Sequence, residues 1–231
     1  MIISHKHKFI FIKTKKTAGT SVEIALSEFL GDDDIITPLS DNDEQTRADL
    51  GYTCARNYYL PFSNYQAKDW SRLLLKRRRL RYYTHNGAAR IRKLIGDDIW
   101  NNYYKFCFER NPWDKVISSY YWRARVGGKR APLSEFIKRG RPAQMAKQGG
   151  SGLYTIKGKI VVDRVCLFEN MEEEMETIAK QLKLPGVPKL PRTKSGTRKD
   201  KRHYRDVLTD DDRLRIQEVF ATEIENFGYK F

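Results

Sequence analysis

Two short apolar runs constrain this chain more than any other feature, because each leads through a polar corner directly into a helical pattern. Phe9-Ile10-Phe11-Ile12 is aromatic and β-branched and reads as a buried strand. A polar stretch from Lys13 to Ser21 follows. Val22, Ala25, Leu26 and Phe29 then recur at helical spacing, with Gly31 as a stop. The second run is Tyr104 to Glu109. After it, Asn111 suits an N-cap, Pro112 the first helical position and Asp114 the first turn. Trp113, Val116, Ile117, Tyr120 and Tyr121 fall on one helical face. Strands that alternate with helices predict an α/β fold with a central parallel sheet flanked by helices.

The remaining pattern fills in around these units. Residues 32–69 show weak periodicity and read as an irregular insertion within a single domain of 231 residues. Trp70 to Leu80 predicts a basic helix, Arg81 to Thr84 a short strand, and Ala88 to Ile95 a helix ended by Gly96. Leu133 to Lys138 predicts a short helix in a Gly-rich, basic stretch. Ile160 to Phe168 holds one or two strands, and Met171 to Leu182 a helix. Thr209 and Asp212 form a capping-box pair ahead of a final helix, whose buried stripe is Ile216, Val219, Phe220, Ile224 and Phe227.

Charge narrows the partners. Lys and Arg number 44 against 29 Asp and Glu, a formal charge of +15, which favours anionic ligands. Residues 70–96 hold nine Lys or Arg and no acid, and residues 189–205 hold eight against Asp200 alone. Aromatic content of 12% and hydrophobic content of 40% exclude a disordered chain. No run approaches the ~20 apolar residues of a membrane span. Cys54, Cys107 and Cys166 are odd in number and scattered, so neither a disulfide framework nor a metal site is expected, and a reducing cytoplasm is the expected setting.

The loop from Lys13 to Ser21 lies between a strand and a helix N-terminus. Free backbone N–H groups and the positive end of the helix dipole make such a junction an anion site. Gly19 allows close approach, Thr20 and Ser21 add hydroxyls, and Lys15 and Lys16 add charge. The lysines precede the glycine, so this is not a Walker A loop, and an ordinary P-loop ATPase or kinase is disfavoured. Arg110 ends the second strand, with Ser118 about two turns into the next helix; an Arg so placed can fork onto a phosphate.

Lys16-Thr17-Ala18-Gly19-Thr20-Ser21 resembles the 5′-phosphosulfate loop of sulfotransferases. Phe108 through Tyr121 resembles their 3′-phosphate-binding strand and helix. Thr84-His85-Asn86-Gly87 with the basic helix after it, and His203-Tyr204-Arg205-Asp206 through Tyr229, resemble segments of Golgi-type carbohydrate sulfotransferases and their soluble bacterial relatives. The resemblance implies a fold related to nucleotide kinases. It implies 3′-phosphoadenosine 5′-phosphosulfate (PAPS) as donor, no metal, and a carbohydrate or other hydroxyl- or amine-bearing acceptor. The basic runs favour an acidic acceptor.

By position, the resemblance assigns Lys16 to the 5′-phosphate and the bridging oxygen, and the backbone from Thr17 through Ala18 and Gly19 to Thr20 and Ser21 to the 5′-phosphate. Arg110 and Ser118 fall to the 3′-phosphate, and Lys194, Ser195 and Arg198 to a loop over the nucleotide. Lys15 stands where relatives commonly carry proline, so Lys13 and Lys15 share candidacy with Lys16. His85 is the candidate base for the acceptor proton, its intrinsic pKa suiting base chemistry near neutrality. Glu23 and Glu109 are alternative bases that fit packing or ion pairing better. Two other readings remain open: another nucleotide-dependent group transferase, and a basic nucleic-acid-binding protein. The latter leaves the two strand–helix phosphate motifs unexplained.

Overall fold

A computed structural model describes residues 1–126, 131–191, 200 and 202–231. Its strands are β1 (Ile2–Ser4), β2 (Phe9–Ile12), β3 (Ile35–Ile36), β4 (Tyr104–Glu109), β5 (Thr155–Ile156), β6 (Lys159–Ile160) and β7 (Arg164–Leu167). A central sheet has the order β3-β1-β2-β4-β7, and β5 and β6 form a separate hairpin. The two apolar runs are neighbours: β2 and β4 pair in parallel, Phe9 opposite Tyr104 and Ile12 opposite Cys107. β7 continues the parallel half, with Glu109 opposite Leu167. The expectation of a wholly parallel sheet needs correction at the other edge, where β1 is antiparallel to both β2 and β3. Residues 5–8 join β1 to β2, a turn too short for the crossover that parallel pairing requires.

The helices are α1 (Gly19–Leu26), α2 (Asp41–Asp49), α3 (Ala67–Lys76), α4 (Ala88–Ile95), α5 (Asp97–Asn102), α6 (Pro112–Val126), α7 (Leu133–Lys138), α8 (Arg141–Gly149), α9 (Met171–Gln181), α10 (Asp210–Val219) and α11 (Ala221–Phe227). Alternation along the strands divides the core. Phe9, Phe11, Phe106 and Phe108 face Val22, Ala25 and Leu26 of α1 and Met175 and Ile178 of α9. Ile10, Ile12 and Cys107 face the other way, toward Ala88 and Ile91 of α4, Trp100 of α5 and Tyr154. Helices therefore cover both faces of the sheet. A third cluster lies among the helices alone, where Trp113, Val116 and Ile117 of α6 meet Ile137 of α7 and Ile216 of α10. Each fully buried side chain of this size contributes about 1.5–3 kcal/mol. The buried Phe106 ring lies tilted at 5.3 Å from Phe11 and 5.8 Å from Phe9, so its truncation to alanine would cost about 3–5 kcal/mol.

Several elements depart from the sequence reading. The region 32–69 contains β3 and α2, the latter with no apolar stripe. Charge holds α2: Asp41, Asp43 and Glu44 occupy its first turn, and Arg47 is buried against Glu44 at 2.9 Å. The basic helix spans Ala67–Lys76, and Arg77 ends it in the left-handed region at φ 50°. The expected strand at Arg81 to Thr84 is reduced to one bridge, Arg81 to Tyr59. The final helix breaks at Phe220 (φ −111°, ψ 26°), dividing α10 from α11.

Candidate active site

Parallel pairing brings the C-terminal ends of β2 and β4 side by side, so the loops that leave them meet. Ligand crevices of open α/β sheets form at this edge. A cavity of about 730 Å³ opens there, within the range of small-molecule sites.

The first wall is the loop between β2 and α1. Lys16 (φ 65°) and Ala18 (φ 56°) both adopt the left-handed region, at a cost of order 1–3 kcal/mol each. Such alternation turns successive N–H groups toward one concave point, an anion nest ahead of the α1 dipole. Surrounding contacts hold it. The Thr14 hydroxyl donates to the Phe108 carbonyl on β4 and lies 2.8 Å from the Thr17 hydroxyl. Lys13 Nζ pairs with buried Glu23 at 2.5 Å. Gly19 has no room for a side chain, since a Cβ there would sit 2.7 Å from Lys13 Cγ.

The second wall starts at the end of β4. The Asn111 side chain accepts from the N–H of Trp113 at 3.1 Å and starts α6. Arg110 Nη1 donates to the Lys16 carbonyl at 3.2 Å, tying the two loops together. Nε and Nη2 of Arg110 donate to Asp114 Oδ2 at 2.9 and 2.5 Å, and the guanidinium lies 4.0 Å over the Phe168 ring. Ser118 faces the cavity from the next turn of α6.

His85 stands at the mouth. Its Nδ1 is 2.8 Å from the Lys13 carbonyl. A carbonyl only accepts, so Nδ1 bears the hydrogen and Nε2 keeps a free lone pair. Desolvation, then the positive charge of Lys13 and Lys15, lowers its pKa to about 4, although the surrounding Lys13 hydrogen bond opposes the shift. The residue is also solvent-exposed. Exposure limits how far desolvation can act, and the direction is what counts: the imidazole is neutral at pH 7. Burial, and then Arg123, also lowers the Lys15 pKa.

Lys15, Lys16, Ala18, Gly19, Thr20, Ser21, His85, Arg110 and Ser118 thus share one cavity. Lys16 Nζ lies 5.3 Å from the Trp122 ring centroid. Thr17 differs from its neighbours: its side chain is buried beside Thr14, leaving only its backbone for a ligand. Lys194, Ser195 and Arg198 lie outside the described residues. Glu23 is taken up by Lys13. Glu109 accepts from Lys115 Nζ at 2.5 Å and from the Tyr154 hydroxyl at 3.1 Å. His5 and His7 sit beyond the far end of β2, on Tyr103 and Phe29, and His203 stacks on Tyr204 away from the cavity. Among the described residues, no group of three or more His, Cys, Asp or Glu is placed to hold a metal ion.

Sequence reasoning missed part of the lining. Tyr121, Trp122 and Arg123 come from α6, Gln144, Met145 and Gln148 from α8, and Phe168 from the end of β7. Trp122 lies one turn beyond Ser118, a spacing that could have flagged it. Nothing in the pattern marks α8. Lys13, Lys15, Lys16, Arg110 and Arg123 line the cavity, and no carboxylate does, among the described residues. A site of one charge sign with two hydroxyl-bearing anion corners can take a ligand with two separated anionic groups, and a neutral imidazole beside it can accept a proton.

The sequence model of the sulfotransferase family matches residues 1–230. An uncharacterized protein of Archaeoglobus fulgidus is 36% identical over 102 residues, which is 42% of this chain and 82% of that protein.

Proposed function

The chain belongs to the sulfotransferase family, and on that premise we propose that it moves a sulfuryl group from PAPS to a hydroxyl, or an amine, of a carbohydrate or similar acceptor. The observation that carries this reading is the carboxylate-free, cation-lined cavity with an anion corner on each of two adjacent strand–helix junctions. Its volume and donor set fit a nucleotide with phosphates at both ends of its ribose. The fold is read, on the same premise, as related to that of nucleotide kinases.

PAPS supplies an activated sulfuryl group whose leaving partner is a phosphate. This chain's residues do the rest. The N–H groups of the nest, with the Thr20 and Ser21 hydroxyls, hold the 5′-phosphate. Lys16 neutralises charge that grows on the bridging oxygen as the sulfur–oxygen bond breaks. Lys13 is committed to Glu23, and Lys15 packs toward Gly149, which favours Lys16 for this task. Arg110 and Ser118 hold the 3′-phosphate, and the Arg110 fork turns from Asp114 to that anion. As the acceptor oxygen bonds to sulfur, its proton passes to Nε2 of His85, the nitrogen left free by the bond to Lys13. Buried free thiols at Cys107 and Cys166 suit the expected reducing cytoplasm.

Calorimetric titration with 3′-phosphoadenosine 5′-phosphate, against ATP as control, tests this reading. Binding of the former over ATP, lost in Arg110→Ala, is expected. No binding to folded protein would overturn it and favour a polyanion-binding role.

A further inference from the structure

The Lys and Arg residues of the basic run 70–96 do not line the cavity. Those before Arg90 lie on and just after α3, on a separate part of the surface. Trp70, Leu73 and Leu74 share one face of α3 at i, i+3 and i+4, and none of them belongs to the three cores. Leu74 is 77% exposed and Leu75 is 82% exposed, extremes for leucine in a folded chain. Trp70 stacks on Phe62 at 5.5 Å and meets Tyr65 at 5.3 Å, which widens the apolar surface beyond the helix. Lys68, Arg72 and Lys76 occupy the opposite face at i, i+4 and i+8. The chain then runs into Arg77, Arg78 and Arg79, which with Arg81, Tyr59 and Tyr83 surround a shallow cleft of about 500 Å³. Arg79 lies 4.5 Å over Tyr59 and Arg81 lies 5.0 Å over Tyr83, so the cations are splayed on aromatic faces.

A polyanion in solution would need the arginines but not the leucines. A purely apolar partner would need the leucines but not the arginines. A helix with an apolar face, a basic opposite face and a trailing basic cluster matches the chemistry of an anionic bilayer surface. We propose that α3 and residues 77–81 dock this protein peripherally on an anionic membrane surface, with Trp70 and Leu74 entering the headgroup–acyl boundary and the arginines on lipid phosphates. This assignment stands apart from the reaction in the cavity.

Vesicle co-sedimentation tests it, with phosphatidylcholine alone and with phosphatidylcholine containing phosphatidylglycerol. The full chain should sediment with the anionic vesicles only, and less as salt rises. Leu73→Glu/Leu74→Glu should lower the partition at least about tenfold, the scale of one buried leucine side chain. Each of Arg77→Gln and Arg78→Gln should lower it about fivefold, from ~1 kcal/mol per charge. All three variants should bind 3′-phosphoadenosine 5′-phosphate, or melt, as the parent does, which separates loss of docking from loss of fold. Failure of the parent to sediment would overturn the proposal. So would partition indifferent to the leucine pair with retention on heparin, which would mark a polyanion surface. A dimer dispersed by the leucine pair would assign the face to a second copy of the chain.

Discussion

His85 shows how one backbone contact sets chemistry. The Lys13 carbonyl fixes the hydrogen on Nδ1, and desolvation, then nearby cations, keep the ring neutral. A bound polyanion would offset those cations. Histidine NMR should therefore find a neutral Nδ1–H tautomer titrating below the ordinary histidine value in the free protein, and a higher pKa once 3′-phosphoadenosine 5′-phosphate is bound; an unchanged value would separate His85 from the anion site. The same lowered pKa has a stability consequence. The unfolded ring takes its proton near 6.5 and the folded ring at a lower pH, so the His85 contribution is full above about 6.5 and is lost as pH falls through the folded value. His85→Ala should slow turnover by about 10²–10⁴-fold in a coupled sulfuryl-transfer assay while leaving donor-product affinity intact. Lys16 and Arg110 were placed by their strand–helix junctions together with the resemblance, and His85 by the resemblance, and the structure brings all three to one cavity. The inward turn of Thr17 was not legible, since it follows from left-handed backbone at Lys16 and Ala18, a conformation that neither residue type advertises.

At the scale of elements, local chemistry was readable and tertiary contact was not. The start of α6 at Asn111-Pro112 and the Thr209–Asp212 box are matters of adjacent residues, and both are present, the latter with reciprocal bonds of 3.2 and 3.3 Å. β1 went unread because three residues carry no period, and its place depends on pairing with β2. α8 went unread because it is short and set between glycines at 140 and 149–150, and its value lies in reaching the β2–α1 loop. That contact makes a prediction. A Cβ at Gly149 would sit 2.5 Å from Lys15 Cδ and 3.1 Å from Lys15 Cβ. Gly149→Ala must therefore push the Lys15 side chain aside. Overpacking costs about 1–3 kcal/mol, partly offset by the ~1 kcal/mol helix preference for alanine. Calorimetry should show weaker binding of 3′-phosphoadenosine 5′-phosphate, by roughly tenfold for each 1.4 kcal/mol, with the thermal midpoint of the free protein less affected. Unchanged affinity would show that Lys15 lies outside the site.

For the whole molecule, the question is what ties a two-faced sheet to a separate helical core. Glu109 does so from the end of β4. Fully buried, it accepts from Lys115 on α6, from the Arg110 N–H at 2.9 Å, and from Tyr154, which belongs to the core on one sheet face. Removing only the charge would leave Lys115 buried without its anion, so Glu109→Gln should cost about 3–5 kcal/mol in denaturant unfolding, while Glu109→Leu with Lys115→Met should recover much of that loss. The ligand site spans the same junction, from the β2–α1 loop through α6 to α8. Ligand binding should therefore stabilise the fold as a unit. At a free ligand concentration 100 times Kd, 3′-phosphoadenosine 5′-phosphate adds about 2.7 kcal/mol. At about 2–4 °C per kcal/mol for a chain of this size, the melting midpoint should rise by roughly 5–11 °C in one transition. A chain with +15 charge could also bind phosphates nonspecifically, and salt separates the two. A shift produced in the cavity should survive added salt far better than retention on a polyanion, whose affinity falls steeply as counterions compete. A shift that vanishes with salt, or that ATP reproduces in full, would move the binding out of the cavity and onto the basic surface.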